Sequence, residues 1–78
     1  MRIEIVTPDT TIYEGEVTLA QLPGLDGSFE IMNNHAAMIA ALKPGKVKVI
    51  DSKKATLFFD IKGGVAEILK NRILVLAE

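Results

Sequence analysis

Few side chains in this sequence could carry out catalysis. The chain has one histidine, His35, two serines, Ser28 and Ser52, and no cysteine. Ser28 lacks the glycine that a nucleophile elbow needs two positions earlier, because Asp26 stands there. No H-x-E or paired-histidine spacing indicates a metal site. The sequence therefore predicts no active site, cofactor or metal, and a lone histidine among turn residues is expected to be a structural hydrogen-bonding group or a partner contact.

Signals for binding phosphate or nucleic acid are also weak. Gly24 and Gly27 match the G-x-x-G loop of KH domains, but here the loop lies between strand-like segments and carries Asp26. Nine Lys and Arg against ten Asp and Glu give a formal net charge of −1, so no basic surface is expected. There is no Walker loop and no apolar run of the ~18 residues that span a bilayer. We therefore expect a soluble, cytosolic-type domain without nucleic-acid contacts or direct membrane insertion.

The elements that must position these residues are predicted to be short β-strands in one domain spanning residues 1–78. Apolar side chains recur at every second position in Met1–Val6 and Lys46–Ile50, which is typical of half-buried strands. Further extended segments are predicted at Thr11–Leu22 (two pieces around Gly15), Phe29–Met32, Ala36–Leu42, Ala55–Ile61, Val65–Leu69 and Arg72–Ala77. Short strands separated by turns, with no convincing helix, indicate an all-β sandwich or barrel.

Irregular backbone is concentrated between Leu22 and Gly45, and such a stretch in a small domain usually serves a partner or ligand. Lys43–Lys46 fits a type II turn, which predicts a positive φ at Gly45. Because such a turn joins two strands, we interpret Ala36–Leu42 as extended although its residue types favour a helix. Hairpin loops are predicted at Asp51–Lys54 and around Lys70-Asn71.

A series of short motifs runs along the whole chain. G-x-x-G-x-x-x-I-x-x-x-H-A extends from Gly24 to Ala36 and is followed by Ala41-Leu42-Lys43-Pro44-Gly45. The segments Gly63–Ile68 and Val75–Glu78 close the series. In this order the motifs resemble the epsilon subunit of rotary F-type ATP synthases, and the resemblance covers essentially all 78 residues. It implies that family's N-terminal domain, a flattened β-sandwich of about ten short strands in two sheets.

The resemblance implies a mechanical role rather than a catalytic one. Members of the family are rotor subunits of the central stalk that link the gamma subunit to the proteolipid c-ring. Through gamma they act on the catalytic head, coupling proton-driven rotation to ATP synthesis at the cytoplasmic face of the bacterial inner membrane. The positions that match gamma contacts are Thr7, His35, Ala40 and Lys62. Those that match c-ring contacts are Ser28, Phe29 and Glu30, with a simple core position as an equal alternative for Phe29.

Three departures from the family pattern affect these expectations. Glu30 stands where the family usually has glycine, and Ala37 stands where it usually has proline. Family members normally continue into a C-terminal helical hairpin that can inhibit rotation, so we expect a short form without that brake. The alternative from another class is a lipoyl- or biotinyl-type carrier barrel displaying Lys43, but Lys43 precedes Pro-Gly and lacks the flanking residues of a modified lysine.

Overall fold

A computed structural model describes all 78 residues, Met1 to Glu78, and contains eight β-strands and no helix. The strands are β1 (Arg2–Val6), β2 (Thr11–Gly24), β3 (Gly27–Met32), β4 (Met38–Leu42), β5 (Gly45–Asp51), β6 (Thr56–Ile61), β7 (Gly64–Leu69) and β8 (Arg72–Ala77). The predicted all-β class is confirmed, including the extended rather than helical conformation of β4. There are eight strands rather than about ten, in part because the two pieces predicted around Gly15 form one continuous strand.

The strands form one hydrogen-bonded network that folds into two layers. We call β4, β7, β8 and β1 the front sheet; its β1 also pairs with residues 11–16 of β2. We call β3, residues 17–24 of β2, β5 and β6 the back sheet. The pairing of β1 with β8 is parallel, and every other pairing is antiparallel. The shortest dimension of the domain is 19 Å, which accommodates two sheets packed about 10 Å apart.

The hydrophobic core lies between the two sheets, and the alternation of each strand supplies it. In β1, Ile3 and Ile5 are buried, and in β5 Val47 and Val49 are buried while the intervening lysine is not. All eight strands contribute to one cluster of 15 buried apolar residues, and no polar or charged side chain is buried. Because burial of a large apolar side chain contributes about 1.5–3 kcal/mol, this cluster is the main attraction between the sheets.

Strand β2 belongs to both sheets, and a β-bulge accompanies its passage between them. Its register with β5 shifts between Val17 and Leu19. Uninterrupted alternation would place Val17 and Ala20 on opposite faces, yet both are buried. A bulge bends its strand and increases the local twist, which allows β2 to leave β1 of the front sheet and join β5 of the back sheet.

The hairpins predicted at Asp51–Lys54 and around Lys70-Asn71 are confirmed. Lys70 and Asn71 both have positive φ (51° and 62°), as the central residues of a type I′ turn do. In the β5–β6 connection, Oδ1 of Asp51 accepts hydrogen bonds from the backbone N–H groups of Lys53 and Ala55, each at 2.9 Å. The side chain of Asp51 therefore holds that loop closed, as in an Asx turn.

The type II turn predicted at Lys43–Lys46 is wrong. Gly45 is the first residue of β5 and does not have a positive φ. The chain does not reverse here, because β4 pairs with β7 in the front sheet whereas β5 pairs with β2 and β6 in the back sheet. What restricts Gly45 is space, since an added Cβ would lie 3.0 Å from the Cβ of Pro23.

Candidate functional site

The outer face of the front sheet, which we call the front face, exposes apolar side chains to solvent. It carries four of the seven exposed large apolar residues of the chain: Ile39 (72% exposed), Val65 (41%), Leu69 (48%) and Leu76 (51%). The strand register places Val65 between Ala41 and Leu76, and Leu76 beside Val6. An apolar row therefore crosses all four strands over about 15 Å. An apolar patch of this size is often functional, so the row is a candidate binding surface.

Away from this row charged and apolar residues are mixed, since Ile39 pairs with Glu67 and Leu69 with Arg72. Arg2 and Arg72 are neighbours in the register of β1 and β8. The Arg72 guanidinium lies 3.8 Å from a carboxylate oxygen of Glu4, and that of Arg2 lies 2.9 Å from one of Glu14. Such partly exposed pairs are worth at most about 1 kcal/mol each, so they add little to stability.

Two of the predicted gamma-contact positions lie at one end of the front sheet. Thr7 follows the last residue of β1 and lines a shallow depression with Leu76 and Ala77 of β8. Lys62 is exposed and lies two residues before Gly64, which pairs with Ala77. Both positions therefore border the apolar end of the front face.

His35 lies near the opposite end of the front sheet. The backbone N–H of the preceding residue, Asn34, donates to Oδ1 of Asn71 in the β7–β8 turn (2.9 Å). The His35 ring is exposed, and its Nδ1 lies 2.7 Å from the carbonyl oxygen of Ala36. The ring therefore contacts only the adjacent backbone. His35 borders the front face and does not lie within it.

The side chain of Ala40 lies on the inner face of the front sheet, whereas a front-face contact requires an outward side chain. It is half-buried, lies on the same face of β4 as the buried Leu42, and pairs with the buried Ala66 of β7. The outward positions of β4 are Ile39 and Ala41. The structure therefore does not bring the four predicted positions into one cluster; three border the front face and Ala40 lies beneath it.

The predicted c-ring positions lie on β3, an edge strand of the back sheet that pairs only with β2. Ser28 and Glu30 are exposed, whereas Phe29 between them is half-buried and packs against the core. An added Cβ at Gly24 would lie 2.9 Å from the Phe29 ring, so the ring covers this backbone closely. Phe29 thus packs against the core while remaining partly exposed, and its contact with the c-ring stays a prediction.

The apolar residues of the front face were not identified as site residues from the sequence, although a signal is present. Strand β8 reads RILVLA and is therefore apolar on both of its alternating faces. A strand with one solvated face normally alternates with polar residues, while a strand covered on both faces reads as a continuous apolar run. The second, outward apolar set of β8 thus indicates a covering partner.

Groups that could support chemistry are sparse in the structure. No group of three or more His, Asp or Glu side chains is arranged to hold a metal ion. Ser52 lies in the β5–β6 turn and Ser28 on the edge strand, while His35 lies in the β3–β4 loop. No helix in the chain has the length and hydropathy needed to cross a bilayer.

The fold and the front face define the class to which this chain belongs, a small all-β domain with an exposed apolar face. Residues 1–78 match the family model described as ATP synthase, Delta/Epsilon chain, beta-sandwich domain, and the chain belongs to that family. It is 46% identical over 77 residues to the ATP synthase epsilon chain of Chlorobium limicola, covering 99% of this chain and 88% of the relative. It is 37% identical over 78 residues to that of Caulobacter vibrioides, covering 100% and 90%. The resemblance inferred from the motifs is therefore confirmed, as is the non-catalytic role, since the relatives are epsilon chains.

Solved structures with a similar fold support the same architecture. The chain superposes on part of the Euglena gracilis mitochondrial ATP synthase (OSCP/F1/c-ring) with a TM-score of 0.89 at 17% identity, covering 96% of this chain and 48% of that one. For the central stalk/c-ring of the Tetrahymena thermophila mitochondrial ATP synthase the TM-score is 0.73 at 22% identity, covering 97% and 63%. The chain thus spans about half to three-fifths of these structural neighbours. It also spans 60% of the epsilon chain of Campylobacter jejuni strain RM1221, to which it is 42% identical.

Proposed function

We propose that the chain acts in the central stalk of a bacterial rotary ATP synthase, where it links the gamma subunit to the proteolipid c-ring. In this role it is a peripheral subunit at the cytoplasmic face of the inner membrane. It carries torque between ring and gamma during proton-driven ATP synthesis and contacts the catalytic head only through gamma. The observation that carries the proposal is the exposed apolar front face in a chain whose relatives are ATP synthase epsilon chains.

The front face is the surface proposed to bind gamma. Four strands of about six residues present an area of roughly 300 Å². A stable interface buries about 800 Å² on each partner, so the contact must extend beyond the apolar row. The bordering positions Thr7, His35 and Lys62 lie where such an extension falls. Apolar contact at the centre with polar positions around it is the usual arrangement of an interface.

The exposed edge of β3 is the surface proposed to meet the c-ring. Ser28 and Glu30 project from this strand, and Glu30 has no ion-pair partner within the chain. An exposed ion pair with a basic group of the ring is worth about 0–1 kcal/mol, so it orients the contact more than it strengthens it. Phe29 supports this contact indirectly, because its packing on the core fixes the strand that carries the two polar residues.

Stepwise assembly tests the proposal. The full chain is titrated with the gamma subunit from the same genome, and the resulting pair is then applied to detergent-solubilised c-ring. We expect saturable binding to gamma, and retention on the ring that is stronger for the pair than for either subunit alone. Absence of gamma binding would refute the proposal. Mass spectrometry of the natively purified chain is the control for the carrier alternative, which requires a mass increment at Lys43.

A further inference from the structure

Strand β4 is hydrogen-bonded along one edge and largely open along the other. Its residues Met38–Leu42 all pair with β7. On the opposite side only Leu42 has a strand partner, Gly24 of β2. The rest of this edge borders an open groove between β4 and the β2–β3 hairpin.

Hydrogen bonds at the closed end of the groove show which backbone groups face it. The N–H of Leu25 donates to the carbonyl of Ala41 (3.1 Å), and the N–H of Lys43 donates to that of Pro23 (2.8 Å). Backbone groups of alternate residues in an antiparallel strand point to the same edge, so Ile39 directs its N–H and C=O to the groove as Ala41 does. None of the backbone hydrogen bonds outside the strand ladders uses Ile39 or the N–H of Ala41. The edge therefore presents unpaired donors and an unpaired acceptor in strand register.

The walls of the groove are apolar and lack the usual protection of a free edge. Ile39 on one wall and Leu25 on the other are mostly exposed, and Asp26 is the only charged residue of the lining. Proteins normally protect free edges with lysine, proline or a bulge, because an open edge pairs with other chains. Strand β4 reads MIAAL and has none of these, so the shortness of its open part, Met38–Ala41, is its main protection. An edge of this kind indicates that a partner segment covers it.

We propose that the free edge of β4 receives an extended, mainly apolar segment of the gamma subunit, which adds to the front sheet as a further strand. The inference rests on the proposed function and names how gamma engages the surface. Continuity identifies the occupant, since Ile39 and Ala41 belong both to the front face and to this edge. In strand addition the backbone hydrogen bonds provide affinity, while alternate side chains of the added segment select the partner.

Residue-resolved hydrogen exchange of the full chain, alone and with gamma, tests the proposal. In the free chain we expect fast exchange at the amides of Ile39 and Ala41 and slower exchange at Ala40, whose N–H faces β7. In the complex the Ile39 and Ala41 amides are expected to slow by at least about tenfold, with a smaller change at Ala40. A complex in which both amides keep exchanging as in the free chain would overturn strand addition alone. Failure to form any complex would overturn the proposed function as well.

Proline substitution separates the backbone contribution from that of the side chain. Ile39→Pro removes an N–H that the fold does not use, and proline is tolerated at edge positions of this kind. Ile39→Ala, the matched control, removes the side chain and keeps the N–H. We expect Ile39→Pro to bind gamma at least about tenfold more weakly than Ile39→Ala while remaining folded. Ala40→Pro removes an N–H directed at β7 and is expected to lower the Tm.

Equal affinities for Ile39→Pro and Ile39→Ala would show that gamma contacts the side chain without pairing with the strand, and would overturn the proposal. If Ile39→Pro does not fold, the exchange experiment on the unmodified chain decides the question.

Discussion

Replacing Leu76 by alanine tests whether the front face binds gamma. Leu76 is 51% exposed, so about half of the ~1.5–3 kcal/mol from burying a leucine is gained on folding, and half is left for binding. The truncation is therefore expected to weaken gamma binding by about 1 kcal/mol, roughly fivefold in Kd. It should lower the free energy of unfolding by a similar ~1 kcal/mol. A domain stabilised by ~5 kcal/mol remains more than about 99% folded after that loss, so unfolding does not explain weaker binding.

Calorimetric titration with gamma measures the Kd, and urea unfolding measures the stability of the same samples. Phe58→Ala is the matched control, because Phe58 is similarly exposed but lies on β6 of the back sheet. We expect this variant to bind gamma with an unchanged Kd. If Leu76→Ala bound gamma normally while Phe58→Ala bound it weakly, the assignment of gamma to the front face would be refuted.

Further substitutions address the backbone and the border positions. Gly64→Ala is expected to lower the free energy of unfolding by at least ~2 kcal/mol, because Gly64 has a φ of +138° and an added Cβ would overlap the carbonyl of Leu76. Gly15→Ala, which meets only a movable tyrosine side chain, should cost less than ~1 kcal/mol in the same urea assay. Lys62→Glu should preserve the circular dichroism spectrum and reduce co-purification with gamma; equal recovery would exclude Lys62 from the interface. Glu30→Lys should weaken retention on the c-ring and leave the Kd for gamma unchanged, and normal retention would remove Glu30 from that contact.

Local patterns predict the individual strands well where the two faces of a strand differ. In β1 and β5, charged and apolar residues alternate, so both the strand and its buried face follow from the sequence. The β7–β8 hairpin is similarly predictable, since Lys70-Asn71 separates two apolar segments and adopts the turn that such spacing requires.

The sequence is less informative where the chain passes between the sheets, and there the two pieces predicted around Gly15 form one continuous strand. The pair Pro44-Gly45 predicts a turn that reverses the chain, but the chain instead passes from β4 of the front sheet to β5 of the back sheet. At Val17–Leu19 a bulge changes the phase of β2. The type of turn and the continuity of a strand depend on which other strand pairs with the segment. Residues adjacent in the sequence do not show which strand that is.

Which residues form the candidate site depends on the face of the strand to which each side chain points, and the order of the motifs does not determine that face. Matching motifs assigns Ala40 to the gamma contact, yet the side chains that β4 directs outward are those of Ile39 and Ala41. A shift of one residue moves a side chain to the opposite face of a sheet, so motif matching alone locates the strand and not its exposed face. In β3 the alternation of faces likewise directs the Phe29 ring toward the core and leaves Ser28 and Glu30 exposed.

Carrying torque requires that a force on one surface reach the other without bending the domain. The proposed gamma surface lies on the front sheet and the proposed c-ring surface on the back sheet, and β2 is hydrogen-bonded to strands of both. In the proposed function, a load on β3 would therefore pass through the backbone ladder of β2 to β1 and so to the front face. The shared core resists sliding of the sheets, because any displacement separates close-packed side chains contributed by all eight strands. In the proposed function, the strand that joins both layers and the core shared by all eight strands would make the domain a stiff adaptor, with little contribution from its weak exposed ion pairs.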